Sequence, residues 1–167
     1  MDQHAHHGQV LESVACAVVT VSDTRTPETD RSGTWLRERL AVAGHPIVNY
    51  RIIRDEPREI REHMLALCES NACTAILITG GTGLTSRDNT YEAVSQLLEK
   101  SLDGFGELFR MLSFAEIGAA AMLSRAVAGI RGRSAVFLMP GSPAAVQLAF
   151  DRLILPQLGH VAWLLAH

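Results

Sequence analysis

The sequence predicts an α/β fold in which helices flank a mostly parallel central sheet. Strand-like apolar runs alternate with helical segments along the chain, and this alternation is typical of layered α/β domains. The run Ala75–Thr79 is an uninterrupted apolar stretch of strand length, as expected of a strand that is covered on both faces. A glycine turn and a helix start follow it, which is the order found at the carboxyl end of a parallel strand.

The individual elements follow from apolar runs and from the residues that begin and end helices. The strands are predicted at Val14–Val21, Pro46–Ile53, Ala75–Thr79 and Ser134–Met139. The helices are predicted at Ser32–Ala43, Pro57–Ser70, Tyr91–Lys100 and Ala144–Leu153. Asp30 and Ser142 are suited to cap the first and last of these helices, and Pro57 and Pro143 fit a first helical turn.

The segment Asp103–Ala128 is predicted to form short helices and turns, because glycines punctuate it. These glycines are Gly104, Gly106 and Gly118, with Gly129 just beyond the segment. Pro156 could likewise break the last helix, since proline cannot donate a backbone hydrogen bond.

The composition indicates one globular domain that has neither nucleic acid nor a membrane as a partner. Of the 167 residues, 47% are hydrophobic and 20% are charged, and the net charge of -3 does not favour the basic face of a nucleic-acid binder. No apolar segment is long enough to span a membrane. We expect a flexible tail at residues 1–12 and a single domain at residues 13–167.

The cysteines and histidines make no strong case for a metal site. Cys16 lies within an apolar run, and Cys68 and Cys73 are too far apart for a CxxC motif. An odd number of cysteines without a secretory leader favours a reducing compartment, so we expect the protein in the cytoplasm. A short tail explains the N-terminal histidines more simply than a metal does. They are His4, His6 and His7.

The central strand ends in the glycine turn Gly80–Gly83 (GGTG), where the backbone can bend sharply and a ligand can approach closely. A P-loop would need a lysine followed by Ser or Thr after the glycines, and the dinucleotide pattern GxGxxG lacks its last glycine here. Asn89 stands three residues before Glu92, which is the spacing of a capping box at a helix start. Turn and helix start together predict a site for phosphate oxygens without a P-loop lysine.

Polar residues follow each of the four predicted strands. They are Ser22-Asp23, Asp55-Glu56, the glycine turn with Asp88, and Pro140–Pro143 (PGSP). In open α/β sheets, ligands bind beyond the carboxyl ends of the strands, so we expect these residues to form one site.

Five longer motifs carry more specific information. They are SDTRTPETDRSG at Ser22–Gly33, TGGTGLTSRDNTYEA at Thr79–Ala93, DGFGELFRMLSFAEIG at Asp103–Gly118, SRAVAG at Ser124–Gly129 and LMPGSPAAV at Leu138–Val146. In this order they resemble the MoaB/MogA family of molybdenum cofactor biosynthesis, which includes the G domain of gephyrin, and they are closer to the MoaB branch. The resemblance covers nearly everything from Val14 onward and implies a three-layer α/β sandwich.

The resemblance also implies an activity. Family members bind molybdopterin, and the active ones use Mg-ATP to adenylylate its terminal phosphate and release pyrophosphate. Asp55 and Asp88 match the two carboxylates on which this activity depends, and we expect them to hold Mg²⁺. Family members are homotrimers or homohexamers. Contacts to substrate or nucleotide are expected at Ser22, Asp23, Gly80, Gly81, Thr82, Gly83, Arg87, Ser124, Arg125, Pro140, Gly141 and Ser142.

The chemistry supports these residues independently. A phosphate monoester is largely ionised at neutral pH, so its attack on ATP needs no general base. The reaction instead needs neutralisation of charge on two anions, which is a task for Mg²⁺ and fixed donors. Arg87 or Arg125 would add positive charge beside the amides of the glycine turn.

Several alternatives remain open at this stage. Asp55 and Asp88 could serve only the helix starts beside them, and Asp23 could be a loop residue. The protein could bind molybdopterin without catalysing transfer, or, more distantly, it could be a nicotinamide-dependent oxidoreductase. The apolar segment Ala119–Ala128 and the final helix are expected to form contacts between subunits.

Overall fold

The computed structural model describes residues 9–167, and in this part of the chain six strands form one sheet. The strands are β1 Cys16–Val21, β2 Ile47–Ile53, β3 Ala75–Thr79, β4 Lys100–Ser101, β5 Val127–Arg131 and β6 Ser134–Met139. The α-helices are α1 Arg31–Val42, α2 Pro57–Glu69, α3 Thr90–Ser95, α4 Asp103–Ile117, α5 Pro143–Ala149 and α6 Leu155–Ala166. A 3-10 helix, Gly118–Leu123, follows α4, and a π-helical turn, Phe150–Ile154, joins α5 to α6.

The strand order across the sheet is β2-β1-β3-β6-β5-β4, and the first four strands in this order are parallel. Thr20, Thr79 and Met139 lie level across β1, β3 and β6. The carboxyl ends of these strands therefore meet at one edge of the sheet. The four strands predicted from the sequence are confirmed, with small shifts at their ends.

Both faces of the sheet are buried, which explains the apolar runs. Along β1, Cys16 and Val18 belong to the core that faces α1, α4, α5 and α6, whereas Ala17 and Val19 belong to the core that faces α2 and α3. Successive side chains of a strand point to opposite faces, so every position of β1 is covered. The three predicted layers of helices, sheet and helices are confirmed.

The segment Asp103–Ala128 is predicted to form short helices and turns. This prediction is wrong for most of the segment. α4 runs unbroken through its glycines because Phe105 and Phe109 are buried on its inner side. Gly106 lets this helix approach the chain before β5, since a Cβ there would lie 2.8 Å from the carbonyl oxygen of Ala126.

The prediction also missed two strands. β5 pairs antiparallel with β6, and the two-residue β4 pairs antiparallel with β5. Gly129, expected to punctuate a turn, instead lies within β5. The predicted helix Tyr91–Lys100 is too long, because α3 ends at Ser95 and Lys100 begins β4.

The C-terminal helix is not broken at Pro156. This residue is the second of α6 and is separated by one residue from the π-helical turn, at whose end the amide of Leu155 donates to the carbonyl of Phe150. The wider turn accommodates a residue that has no backbone N–H. The final helical segment therefore continues to Ala166.

The described chain begins beside α6, where the amide of Leu11 donates to the carbonyl of Gly159 at 3.0 Å. The three tail histidines lie outside the described residues, and the tail boundary stays a prediction. They are His4, His6 and His7. The three cysteines are buried free thiols. Within residues 9–167, no helix combines the length and apolarity that crossing a bilayer requires.

Candidate functional site

The carboxyl ends of the parallel strands are joined by direct hydrogen bonds. After β1, the amide of Ser22 donates to the carbonyl of Ile53 in β2 at 2.8 Å. After β3, the amide of Gly80 donates to the carbonyl of Met139 in β6 at 3.1 Å. The loops that follow all four strands therefore start close together, as expected from the sequence.

The glycine turn after β3 has a backbone conformation that side chains rarely allow. The φ angle is +97° at Gly80 and +64° at Gly81. A Cβ at Gly80 would collide with the carbonyl of Val21, and one at Gly81 would collide with the side chains of Asp55 and Thr90. Glycine is required here because the end of β1, a carboxylate and the start of α3 all approach the turn.

Asp55 follows β2 and is buried against this turn, with 6% of its surface exposed. Its Oδ1 accepts hydrogen bonds from the amide of Asn89 (3.1 Å) and from the hydroxyl of Thr90 (3.4 Å). Burial is the main cause that raises the pKa of Asp55; these hydrogen bonds oppose the shift, and the charges of Asp88 and Asp23 add to it.

The capping box predicted from Asn89 and Glu92 is wrong. Asn89 precedes α3 but makes no side-chain cap, and its side-chain amide donates to the carbonyl of Arg87 at 3.0 Å. Glu92 forms an ion pair with Arg125. The carboxylate of Asp55 takes the place of a local cap, because the fold brings it to the start of α3 from a distant part of the chain.

Asp88 lies at the same turn. Its Oδ2 accepts hydrogen bonds from the amide (3.0 Å) and the hydroxyl (2.6 Å) of Thr85, and it would lie 2.6 Å from a Cβ added to Gly83. The Thr85 hydroxyl is the main cause that lowers the pKa of Asp88. The structure thus brings Asp55 and Asp88 together at the glycine turn, and their catalytic and metal-binding roles stay predictions.

Asp23, Asp55, Glu56 and Asp88 form what we call the acidic corner. Arg87 bridges two of these carboxylates, at 2.7 Å from Asp23 and 2.9 Å from Glu56. The ion pairs raise the pKa of Arg87, and Arg87 is the main cause that lowers the pKa of Asp23. The predicted phosphate contact of Arg87 therefore competes with two carboxylates that already hold its guanidinium.

Arg125 supports the glycine turn from the other side. Its guanidinium donates to the carbonyl of Thr82 at 2.9 Å and to that of Gly83 at 2.6 Å, and it also pairs with Glu92. The guanidinium carbon lies 4.8 Å from the centre of the Tyr91 ring. These contacts give Arg125 a structural role at the turn, and its contact to substrate or nucleotide stays a prediction.

A cleft of about 710 Å³ lies between the β1–α1 loop and the turn after β6, and we call it the β1–β6 cleft. The residues with hydroxyl groups in its lining are Thr20, Ser22, Thr24, Thr29, Ser32, Thr79 and Ser142. The hydroxyl of Ser32 donates to the carbonyl of Gly141 at 2.8 Å and so ties α1 to the β6 turn. Ser142 accepts from the amide of Ala145 at 3.3 Å, which confirms it as a helix cap.

The predicted site residues divide between these places. The β1–β6 cleft is lined by Ser22, Gly80, Gly141 and Ser142. The acidic corner and the glycine turn contain Asp23, Asp55, Gly81, Thr82, Gly83, Arg87 and Asp88. Ser124 and Arg125 follow the 3-10 helix, and Pro140 leads from β6 into the cleft.

One buried carboxylate beside the cleft has more partners than the sequence indicates. Asp30 is confirmed as a helix cap, because its Oδ1 accepts from the amide of Gly33 at 2.9 Å. Its Oδ2 also accepts from the hydroxyls of Thr20 (2.6 Å) and Tyr50 (2.8 Å). Burial is the main cause that raises the pKa of Tyr50, to about 12. No local pattern could reveal this junction of β1, β2 and α1.

Comparisons with known proteins agree with this architecture. The family described as "Probable molybdopterin binding domain" matches residues 17–160. Molybdenum cofactor biosynthesis protein B of Bacillus cereus is 52% identical over 159 residues, which cover 95% of this chain and 94% of that protein. The chain belongs to the MoaB family.

Solved structures of the MoaB family share the fold. A crystal structure of Molybdenum cofactor biosynthesis protein B has a TM-score of 0.91 at 52% identity, covering 95% of this chain and 99% of that chain. The tungsten cofactor synthesizing protein MoaB from Pyrococcus furiosus has a TM-score of 0.81 at 34% identity, covering 94% of this chain and 99% of that chain. The family membership confirms the resemblance seen in the sequence and gives no support to the nicotinamide alternative.

The acidic corner of this MoaB-family chain offers carboxylate oxygens, which are ligands of the type that Mg²⁺ takes. Within the described residues, no group of three or more His, Cys, Asp or Glu side chains is placed to hold a metal by protein ligands alone. Mg²⁺ commonly uses only one or two carboxylates and takes its other ligands from phosphate oxygens and water. Asp55 and Asp88 match that requirement in type and number.

Proposed function

We propose that this MoaB-family protein is a molybdopterin adenylyltransferase. An oxygen of the terminal phosphate of molybdopterin attacks the α-phosphorus of ATP, the bond from that phosphorus to the bridging oxygen of the β-phosphate breaks, and pyrophosphate leaves. The observation that carries the proposal is the meeting of Asp55 and Asp88 at one glycine turn beside a cleft lined with hydroxyls.

The acidic corner supplies the carboxylates that this reaction needs. The attacking phosphate is already ionised near neutral pH, so no side chain has to remove a proton from it. Asp55 and Asp88 would hold Mg²⁺, which when bound neutralises charge on the phosphates. The buried position of Asp55 and its bonds to the start of α3 fix where its carboxylate lies.

The β1–β6 cleft supplies the binding surface. Its volume of about 710 Å³ falls in the range that small-molecule sites occupy. Ser22 and Ser142 line it together with the backbone of Gly80 and Gly141, which offers hydrogen bonds without bulky side chains. One substrate bound there would have its phosphate end close to the acidic corner, because Ser22 and Gly80 directly precede Asp23 and Gly81.

The direct test is incubation of the purified protein with molybdopterin, ATP and Mg²⁺. We expect adenylylated molybdopterin and pyrophosphate in equal amounts. In Asp88→Asn the rate should fall about 100-fold or more, since a carboxylate that neutralises developing charge is lost, while molybdopterin binding survives. Asp103→Asn, on the exposed start of α4, is the matched control and should leave the rate unchanged.

A protein that binds molybdopterin without transfer is the second candidate. It is favoured by one observation: protein donors already engage both carboxylates, from Asn89 and Thr90 to Asp55 and from Thr85 to Asp88. The same incubation separates the two functions. Stoichiometric molybdopterin binding without any pyrophosphate would establish the binding protein and refute the enzyme.

We also propose that the protein assembles as a homotrimer or homohexamer. One apolar surface supports contacts between subunits. The outer side of α4 and the 3-10 helix expose large apolar side chains, with Phe114 63% and Met122 79% exposed. The others are Leu108, Met111, Ile117 and Leu123. Contiguous apolar surface of this kind is typical of contacts between proteins. It overlaps the segment Ala119–Ala128 that the sequence predicted for this purpose.

Sedimentation velocity tests the assembly. We expect the wild-type protein to sediment as a trimer or hexamer, and the double variant Met111→Ser/Phe114→Ser to shift toward the monomer. Val42→Ser removes an even more exposed apolar side chain from α1 and should not change the sedimentation coefficient. A wild-type monomer would contradict the proposal.

A further inference from the structure

The β1–β6 cleft contains two arginines that the sequence analysis did not single out. Arg25 lies within the β1–α1 loop and Arg31 is the first residue of α1, and both line the cleft. Within residues 9–167, neither has a carboxylate within ion-pair distance, whereas Arg87 and Arg125 are both ion-paired. The arginines that remain available to bind an anion at this site are therefore Arg25 and Arg31. They are not the two for which the sequence analysis predicted this contact.

The loop that carries the two arginines is held at both ends. At its start, the hydroxyl of Ser22 accepts hydrogen bonds from the amides of Thr24 (3.2 Å) and Arg25 (3.1 Å). At its end, buried Asp30 binds groups of β1, β2 and α1. A fixed loop loses little conformational entropy when a ligand binds, so it can present charged side chains at low cost.

The Arg25 side chain is also oriented within the loop. Its Nη1 donates to the carbonyl of Thr29 at 3.3 Å, which uses one of the five N–H groups of the guanidinium. Arg31 is exposed and directly follows the cap of α1. The remaining donors of both guanidinium groups can bind the oxygens of a phosphate.

Two carboxylates also line the cleft, and they differ in their effect on an anion. The oxygens of Asp30 accept hydrogen bonds from the amide of Gly33 and from the hydroxyls of Thr20 and Tyr50, so they are already engaged within the protein. Glu28 is exposed, and the Thr26 hydroxyl is the main cause that lowers its pKa, so it is charged at neutral pH and opposes anion binding. Glu28 therefore provides a control of opposite sign on the same loop.

We propose that Arg25 and Arg31 recognise a phosphate or polyphosphate group in the β1–β6 cleft and select ligands that carry one. Only the identity of the natural ligand in this inference rests on the proposed adenylyl transfer. The phosphate recognition itself follows from two available guanidinium groups on a fixed loop, beside hydroxyls and glycine backbone.

Binding of inorganic tripolyphosphate, measured by calorimetry at low ionic strength, tests the inference without ATP chemistry. We expect Arg25→Gln and Arg31→Gln each to weaken binding about tenfold, since each removes charged hydrogen bonds. Glu28→Gln should strengthen binding about twofold, because it removes a repulsive charge. Arg58→Gln, on exposed α2 away from the cleft, should have no effect.

The outcomes separate this inference from the proposed function. If Arg25→Gln/Arg31→Gln binds tripolyphosphate as tightly as the wild type, the inference is overturned, even if adenylyl transfer is observed. If the double variant loses binding while the wild type shows no transfer, the inference stands and the proposed function fails. Unchanged melting temperatures for the variants would exclude unfolding, and the opposite effect of Glu28→Gln cannot come from a damaged loop.

Discussion

The acidic corner and the β1–β6 cleft lie at the ends of the same parallel strands but differ in how their polar groups are used. In the acidic corner, Asp55 and Asp88 accept hydrogen bonds from backbone and hydroxyl donors, and Arg87 is held by two carboxylates. In the cleft, Arg25 and Arg31 are exposed and have no ion pair within the described chain.

The difference follows from the topology of the sheet. The chain leaves β1 toward β2 on one side and leaves β3 toward β6 on the other, so a crevice opens between the ends of β1 and β3. Such a switch point is where open α/β sheets bind ligands. One side of it holds the hydrogen-bonded carboxylates of the acidic corner, and the other holds the exposed Arg25 and Arg31 beside Glu28 and Asp30. We expect variants of the two sides to have separable effects.

The largest expected effect comes from Gly81→Ala. The added Cβ would collide with Asp55 and Thr90 at a φ of +64°, which costs about 1–2 kcal/mol of strain before the collision is counted. Displacement of Asp55 should lower the rate of adenylyl transfer about 100-fold, as small misplacements of catalytic groups do. Tripolyphosphate binding in the cleft should survive.

Gly104→Ala is the matched control for this variant. A Cβ at Gly104 meets nothing within 4 Å, and alanine is favoured over glycine in a helix by about 0.5–1 kcal/mol. We expect unchanged turnover and a slightly higher melting temperature. Equal loss of turnover and of tripolyphosphate binding in Gly81→Ala would show that the acidic corner and the cleft are not separable.

An intermediate effect is expected in the pH dependence of stability. Burial raises the folded pKa of Asp55, so its stabilising contribution is present below the unfolded pKa and is lost as pH rises through the folded pKa. The pKa of Asp88 is lowered, so its contribution is present above the unfolded pKa and is lost as pH falls through the folded pKa. Relative to wild type, Asp55→Asn should therefore gain stability between acid and neutral pH, and Asp88→Asn should lose it.

Urea unfolding at a series of pH values between about 3 and 7 measures this difference, because the unfolded pKa of aspartate is about 3.9. The two variants are controls for each other, since both replace a carboxylate by an amide at the same turn. If the free energy of unfolding changes with pH in the same way in both variants, burial does not distinguish Asp55 from Asp88.

The smallest effect is expected for Arg87→Gln. Its two ion pairs lie at the surface, with the side chain 58% exposed, and solvent and salt screen such pairs so that they add little to stability. We expect a small loss of stability that high salt reduces, and unchanged tripolyphosphate binding. A tenfold loss of tripolyphosphate binding would show that Arg87 leaves its carboxylates to bind the anion, as the sequence first suggested.

The parallel part of the fold could be predicted because its signals are local. Runs such as Ala75–Thr79 are almost entirely apolar and are buried at every position, and Asp30 and Ser142 each cap the helix that directly follows them. The strand ends themselves lead us to expect Asp55 and Asp88 in one site, and the family resemblance adds their expected roles. The structure brings both carboxylates to one turn.

The rest depended on contacts between distant parts of the chain. The glycines of α4 suggested breaks, but burial of Phe105 and Phe109 outweighs their low helix propensity. β4 has only two residues, too few for a recognisable pattern. Asn89 has the residue type of a cap, yet the carboxylate that accepts the hydrogen bond at this helix start is Asp55, which follows β2. Nor could the ion pairs of Arg87 be inferred from its motif.

The bond between Asp55 and the start of α3 has a consequence for the order of folding. α3 has six residues, and an isolated helix of that length does not persist in water. The hydrogen bonds from its start to Asp55 require that the segment after β2 already lies beside it. A partly folded chain would therefore lack the pair formed by Asp55 and Asp88, which comes together only with the finished sheet.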